Sequence, residues 1–192
     1  MKLIVTNKIP ENPEFCPEKE GWKPLKEPKS VLVTILIASP VGLLMCFIVL
    51  AIANLMGITV DMELNFSVIL ALFIIIPIHE LLHALAFPES IKSDKVIFGV
   101  LPKAGACFAH YEGEMKKKSF LISLLAPLLG ISVIPLVLLC VTHIKFPFLV
   151  TVSAVNALCS CVDLFGFFLI LFQIPKASII RNKGFKTYWK QL

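Results

Sequence analysis

The sequence predicts an all-α membrane protein, a bundle of four transmembrane helices with a small cytoplasmic β-hairpin between the second and third. Three observations carry this. The chain of 192 residues is 57% hydrophobic and only 16% charged, where a soluble domain of this size carries about 25% charged residues. Its apolar residues gather into four runs, each of roughly the length that crosses a ~30 Å hydrocarbon core. The basic residues then sort to one side. Six lie before the first run, six between the second and third, and five after the fourth, leaving Lys145 alone of the 18.

Residues 1–30 are polar, hold five of the thirteen prolines and read as an N-terminal tail. No short apolar core of the kind found in a cleaved signal peptide follows the start. The first run covers about 31–56, with Pro40 and Gly42 inside it, which membrane helices tolerate. The loop after it holds Asp61 and Glu63 and no basic residue. The second run, about 66–87, stops at Pro88, a natural helix terminator. Residues 89–118 form the one sizeable polar loop. Within it, Lys95–Leu101 and Ala104–Tyr111 are short, β-branched or aromatic, and separated by Pro102-Lys103, which predicts two strands of a hairpin. Lys116–Lys118 read as an anchor at the entry to the third run, about 119–142, and the fourth, about 147–173, follows a short turn. The membrane domain is thus 31–174. Residues 175–192 are basic and carry Phe185, Tyr188 and Trp189, a composition suited to an anionic membrane surface.

Charge fixes the orientation. With the N- and C-termini and the hairpin loop cytoplasmic, the positive-inside rule is met by all but one basic residue, which predicts a multi-pass protein of the cell membrane. The net charge of +5 is therefore a topology signal. The lipid bilayer is the partner it implies, and nucleic acid is excluded. The six cysteines are scattered, four of them in apolar segments, and read as small buried hydrophobes.

The second run ends in His79-Glu80-Leu81-Leu82-His83. On a helix, His79 and His83 stand one turn apart on one face, so two imidazoles can grip one metal ion with Glu80 beside them. The bland reading is a helix end whose polar groups cap and solvate near the interface. Against it stands Asp163, the only other acidic residue inside an apolar run. A lone Asp at membrane depth costs on the order of 3 kcal/mol, so it faces a partner or a cavity. Ser153, Asn156, Ser160 and Asp163 share one helix face. Polar residues of this kind can simply hydrogen-bond across helices, and Ser153 and Ser160 are read that way.

His79, His83 and Asp163 together make the three-ligand set of a catalytic site for one Zn2+ ion, with water in the fourth position. The metal would lower the pKa of that water, and Glu80 would take its proton and pass it to the leaving amine. Asn156, on the face of Asp163, is the candidate hydrogen-bond donor to an oxyanion. His110 reads as a surface histidine, His143 falls on the far side of the membrane, and Cys159 and Cys161 are too close for a standard zinc pair.

These residues carry a resemblance. His79–His83, the Ala126-Pro127 pair and the Asn156–Asp163 segment are similar to those of small bacterial membrane proteins described as zincin peptidases, and more distantly to site-2 proteases. The resemblance implies that His79, His83 and Asp163 ligate zinc and that Glu80 is the catalytic base. The chain departs from it at Leu164, where site-2 proteases place Gly, and at Val162, where the smaller family has Gly. In site-2 proteases, strands after the motif helix help to bind an extended substrate. By that correspondence Ala104, Gly105, Ala106, Cys107, Phe108, Ala109, His110 and Tyr111 would pair with a membrane protein or membrane-associated peptide by strand addition. The functional expectation is a zinc-dependent endopeptidase acting within or beside the membrane. The alternatives are a non-catalytic adaptor or immunity-type protein that keeps zinc structurally, and a metal transporter. The transporter is disfavoured because no chain of acidic groups leads across the membrane.

Overall fold

The computed structural model describes residues 2–63, 65–102 and 106–192. The apolar runs are helical, but the architecture is mixed α and β, not all-α, because the polar segments around them pair into two sheets. Beside two local hairpins, Lys2–Val5 pairs with Val96–Leu101, Lys23–Pro24 with Lys186–Gln191 and Met115–Lys116 with Ser178–Lys183, segments far apart in sequence. Pairing of that kind leaves no local hydrophobic period by which to recognise it.

The chain divides into two compact units, one of Lys29–His79 and Leu125–Phe165, the other of Met1–Pro28, Glu80–Leu124 and Gly166–Leu192. The first is helical, and the helical stretches 80–85, 117–124 and 166–173 belong to the second. Helix α1 (Val31–Leu55) starts at Ser30, whose hydroxyl accepts from the Val33 amide, and α2 spans Phe66–Leu85. The third run is broken. Helix α3 (Lys117–Pro127) passes through a π turn (Leu128–Val133) into α4 (Ile134–Thr142). The fourth is broken too, with α5 (Pro147–Cys159) and α6 (Cys161–Gln173) bent by 47° at Ser160. Both the amide and the hydroxyl of Ser160 are donated to the Asn156 carbonyl.

By length and composition, Val31–Leu55, Phe66–Leu85 and Lys117–Thr142 can each cross a membrane, and the bent pair would be a fourth span. Leu32, Leu36, Leu43 and Phe47 of α1 are exposed, an apolar surface that water would penalise and lipid would not. Inside the unit, Val49, Ala53, Leu136, Val150 and Ala154 form one core. Gly42 lets α1 and α5 approach closely, since a Cβ there would sit 2.7 Å from the Leu158 carbonyl oxygen. Prolines inside these helices remove an amide and so strand the carbonyl four residues earlier. For Pro40 that carbonyl is Leu36, which accepts from the Ser39 hydroxyl. For Pro135 it is Ile131, which accepts from Ser153.

The second unit holds the strands β1 (Lys2–Val5), β2 (Lys23–Pro24), β3 (Val96–Leu101), β4 (Ala106–Tyr111), β5 (Met115–Lys116), β6 (Ser178–Lys183) and β7 (Lys186–Gln191). One sheet has the order β1-β3-β4 and the other β2-β7-β6-β5. The β3–β4 hairpin matches the sequence reading, and Gly99 opposite Phe108 leaves room for that ring. The segment read as a membrane-surface tail is instead the β6–β7 hairpin. Its Trp189 packs on a core of Leu25, Tyr111 and Ile180, and Arg181 lies over the Phe15 ring at 4.2 Å. Phe185 remains exposed. Lys117, read as a topology anchor, is buried and donates to the carbonyls of Leu171 and Ile174 at 2.9 and 2.5 Å. It caps the C-terminal end of α6, where a cation also suits the helix dipole. All six cysteines are free.

Candidate metal centre

Helix α2 runs unbroken through His79, Glu80 and His83, so the two imidazoles stand one turn apart, and both residues are only 8% exposed. The hydrogen bonds around them assign their protons. The Asn156 side chain lies 3.1 Å from the Pro127 carbonyl, which can only accept, so its nitrogen faces that way. Its second N–H goes to Ser132 Oγ at 2.8 Å. The amide oxygen must then face His79 Nδ1, 3.0 Å away, and that nitrogen must carry the proton. In the neutral imidazole the lone pair is then on Nε2, and 3.0 Å from that atom is Oδ2 of Asp163, in the first turn of α6.

His83 is set the same way. Its Nδ1 lies 2.7 Å from the Ser123 carbonyl, an acceptor, which places the proton on Nδ1 and the lone pair on Nε2. One ligand atom from each of His79, His83 and Asp163 can be chosen so that all lie within 4.8 Å of one another. Histidines that bind metals characteristically donate their other ring N–H to a carbonyl or carboxylate, which fixes the tautomer and the ring plane. Both histidines here do so.

Glu80 Oε2 accepts the Ala109 amide of β4 at 2.7 Å. In the β3–β4 ladder Glu112 donates to the Lys95 carbonyl. Counting inward from that pair by twos gives bonded pairs at 97–110 and 99–108. The backbone groups of Cys107, Ala109 and Tyr111 thus point away from β3, along an edge that no strand among the described residues pairs with. Of the residues read as substrate-binding, Ala106–Tyr111 form this strand, while Ala104 and Gly105 lie outside the described residues. His110 is not a surface histidine. It is 5% exposed, and burial pushes its imidazole down to about 4. Burial first, and the Glu80 charge second, pushes the Cys107 thiol up.

Ser123 and Ser132 escaped the sequence reading, which named Pro127 only as part of the Ala126-Pro127 pair. Their one signal was a proline inside an apolar run, which marks the carbonyl four residues earlier as open.

A family model described as "Putative zincin peptidase" matches residues 72–179, more than half of the chain. The chain belongs to that family. No curated protein and no solved structure matches it. The match begins in α2 ahead of His79 and ends in β6, so it takes in every residue of the cluster. The family's description implies zinc, and the donor set here, two imidazole nitrogens and a carboxylate oxygen, is one that zinc takes.

Proposed function

We propose that this zincin hydrolyses peptide bonds within or beside the membrane, with one zinc ion held by His79, His83 and Asp163. The observation that supports this most is the 3.0 Å apposition of His79 Nε2 and Asp163 Oδ2. With the imidazole proton committed to Nδ1, that contact brings two lone pairs together, and a cation relieves it. A proton shared between the two would serve as well for this pair alone. The second imidazole favours the cation, because a ring nitrogen of His83 in the same cluster adds nothing to a shared proton and completes a metal site.

Bound zinc supplies Lewis acidity and draws the pKa of a coordinated water toward neutrality. Glu80 accepts a proton from the attacking water and returns it to the leaving amine. The Ala109 amide holds one oxygen of that carboxylate in place. The outer edge of β4 receives an unwound stretch of a membrane protein or membrane-associated peptide by strand addition. Both amide N–H groups of Asn156 are donated internally and the residue is fully buried. In our reading it therefore positions His79 and does not serve an oxyanion. The positive-inside pattern supports a chain with the hairpin loop and both termini in the cytoplasm.

The test is Glu80→Gln. Metal content should stay at the wild-type level while cleavage of an accumulating membrane substrate, sought by comparative membrane proteomics, is lost. A cellular phenotype that persists unchanged in this variant would support the non-catalytic adaptor instead.

A further inference from the structure

Helix α3 ends at Pro127, and this residue touches the surroundings of both histidines without contacting either. Consider first the amide it lacks. In an α-helix the N–H of residue 127 would bond the carbonyl of residue 123. Proline has no N–H, so the Ser123 carbonyl is left for another donor. That donor is His83 Nδ1, at 2.7 Å, in a place where Ser123 is only 3% exposed. Had the helix amide been present, it would compete for this carbonyl.

Now consider the carbonyl that Pro127 keeps. It accepts from Asn156 Nδ2 at 3.1 Å and so forces the amide oxygen of Asn156 toward His79 Nδ1. The same amide nitrogen reaches Ser132 Oγ, whose own proton goes to the Ser153 carbonyl at 2.8 Å. In an α-helix, positions five apart are about 140° apart around the axis. The π turn Leu128–Val133 has i→i+5 bonding, seen in the bond from the Ile134 amide to the Leu129 carbonyl, and brings positions five apart onto one face. That is how Pro127 and Ser132 meet one amide group.

We infer that Pro127 is a positioning residue that sets the tautomer of both candidate zinc ligands. Its missing amide fixes the proton of His83 on Nδ1, and its carbonyl, through Asn156 and with Ser132, fixes that of His79. The consequence for zinc rests on the metal reading above; the tautomers themselves do not.

Two other prolines calibrate the claim. The carbonyls stranded by Pro40 and Pro135 are taken by Ser39 and Ser153, neither of which is a candidate ligand. Pro127→Ala should restore a helix amide and leave thermal stability equal or higher, yet lower zinc affinity about tenfold, the usual cost of losing such an outer partner. Pro135→Ala should leave zinc affinity unchanged. Ser132→Ala should lower it by a similar factor, whereas Ser160→Ala, which removes only a bond within its own helix turn, should not.

The tautomers are read directly by nitrogen-15 NMR of metal-free wild type in detergent, which stays informative if a variant does not fold. Protonated Nδ1 on both His79 and His83 is the expected result. An Nδ1 without a proton on either, or a Pro127→Ala protein with wild-type zinc affinity, would overturn the inference. A wild type that binds no zinc but shows both Nδ1 protons would sink the proposed function and leave the positioning role standing.

Discussion

The Glu80 carboxylate and the Ala109 amide lie 2.7 Å apart, joining the H-E-x-x-H helix to the outer edge of the β3–β4 hairpin. A hydrogen bond to a charged acceptor is worth about 1.5–3 kcal/mol, enough to hold one carboxylate rotamer. That same edge is where a peptide strand would have to pair.

Proline scanning of β4 should therefore give an alternating result. At Cys107, Ala109 and Tyr111 the backbone faces outward, and proline is tolerated on an open edge. All three should keep their zinc while cleavage falls at least tenfold, most at Ala109. Cys107→Pro should also keep its melting temperature, whereas Ala109→Pro loses the bond to Glu80 and Tyr111→Pro loses a core ring and its bond to Glu89, so both should melt lower. At Phe108 and His110 the amide belongs to the ladder with β3, and proline should destabilise the hairpin itself. Wild-type turnover by every outward variant would remove the edge from the account.

Acid should weaken the hairpin in two windows. Burial lowers the His110 imidazole from 6.5 to about 4, so the folded state resists a proton that the unfolded chain accepts. Stability should fall as pH drops from 6.5 toward 4, by at most about 3 kcal/mol at 1.36 kcal/mol per unit, and His110→Phe should flatten that window. Glu89 is held at about 2 by Lys95 first, then by Ser93 and Tyr111. Its contribution is present above 4.5 and is lost as pH falls toward 2, a second window that Glu89→Gln should remove. Melting curves in detergent at stepped pH read both.

The Gly42 approach should tolerate no side chain. A Cβ there meets the Leu158 carbonyl oxygen at 2.7 Å and Cys161 Cβ at 2.8 Å, and the first of these is backbone that cannot swing aside. Gly42→Ala should cost about 1–3 kcal/mol, the usual range for overpacking. A variant that melts with wild type would show that α1 and α5 can separate freely.

Hydropathy and charge located the helical runs to within a few residues, because an apolar run of that length has no cheaper form in lipid. They also singled out Asp163, since an isolated carboxylate inside such a run demands a partner. The sheets were hidden for the opposite reason. Strands such as Lys2–Val5 and Lys23–Pro24 are short, and their partners β3 and β7 lie far along the chain. The π turn and the Ser160 bend were hidden because neither disturbs hydropathy. Asn156 was found by its position on the Asp163 face, but its role depends on Pro127 and Ser132, which belong to another run. His110 looked like a surface residue because it lies in a polar loop, and burial in a folded hairpin is invisible to composition.

The central claim is that His79, His83 and Asp163 form one zinc site, and metal analysis of purified protein tests it most directly. Wild type should carry about one zinc ion per chain, as a three-ligand site with one open position does, and His79→Ala and Asp163→Ala should each lose nearly all of it. Zinc that is absent from wild type, or undiminished in those two variants, would contradict the account.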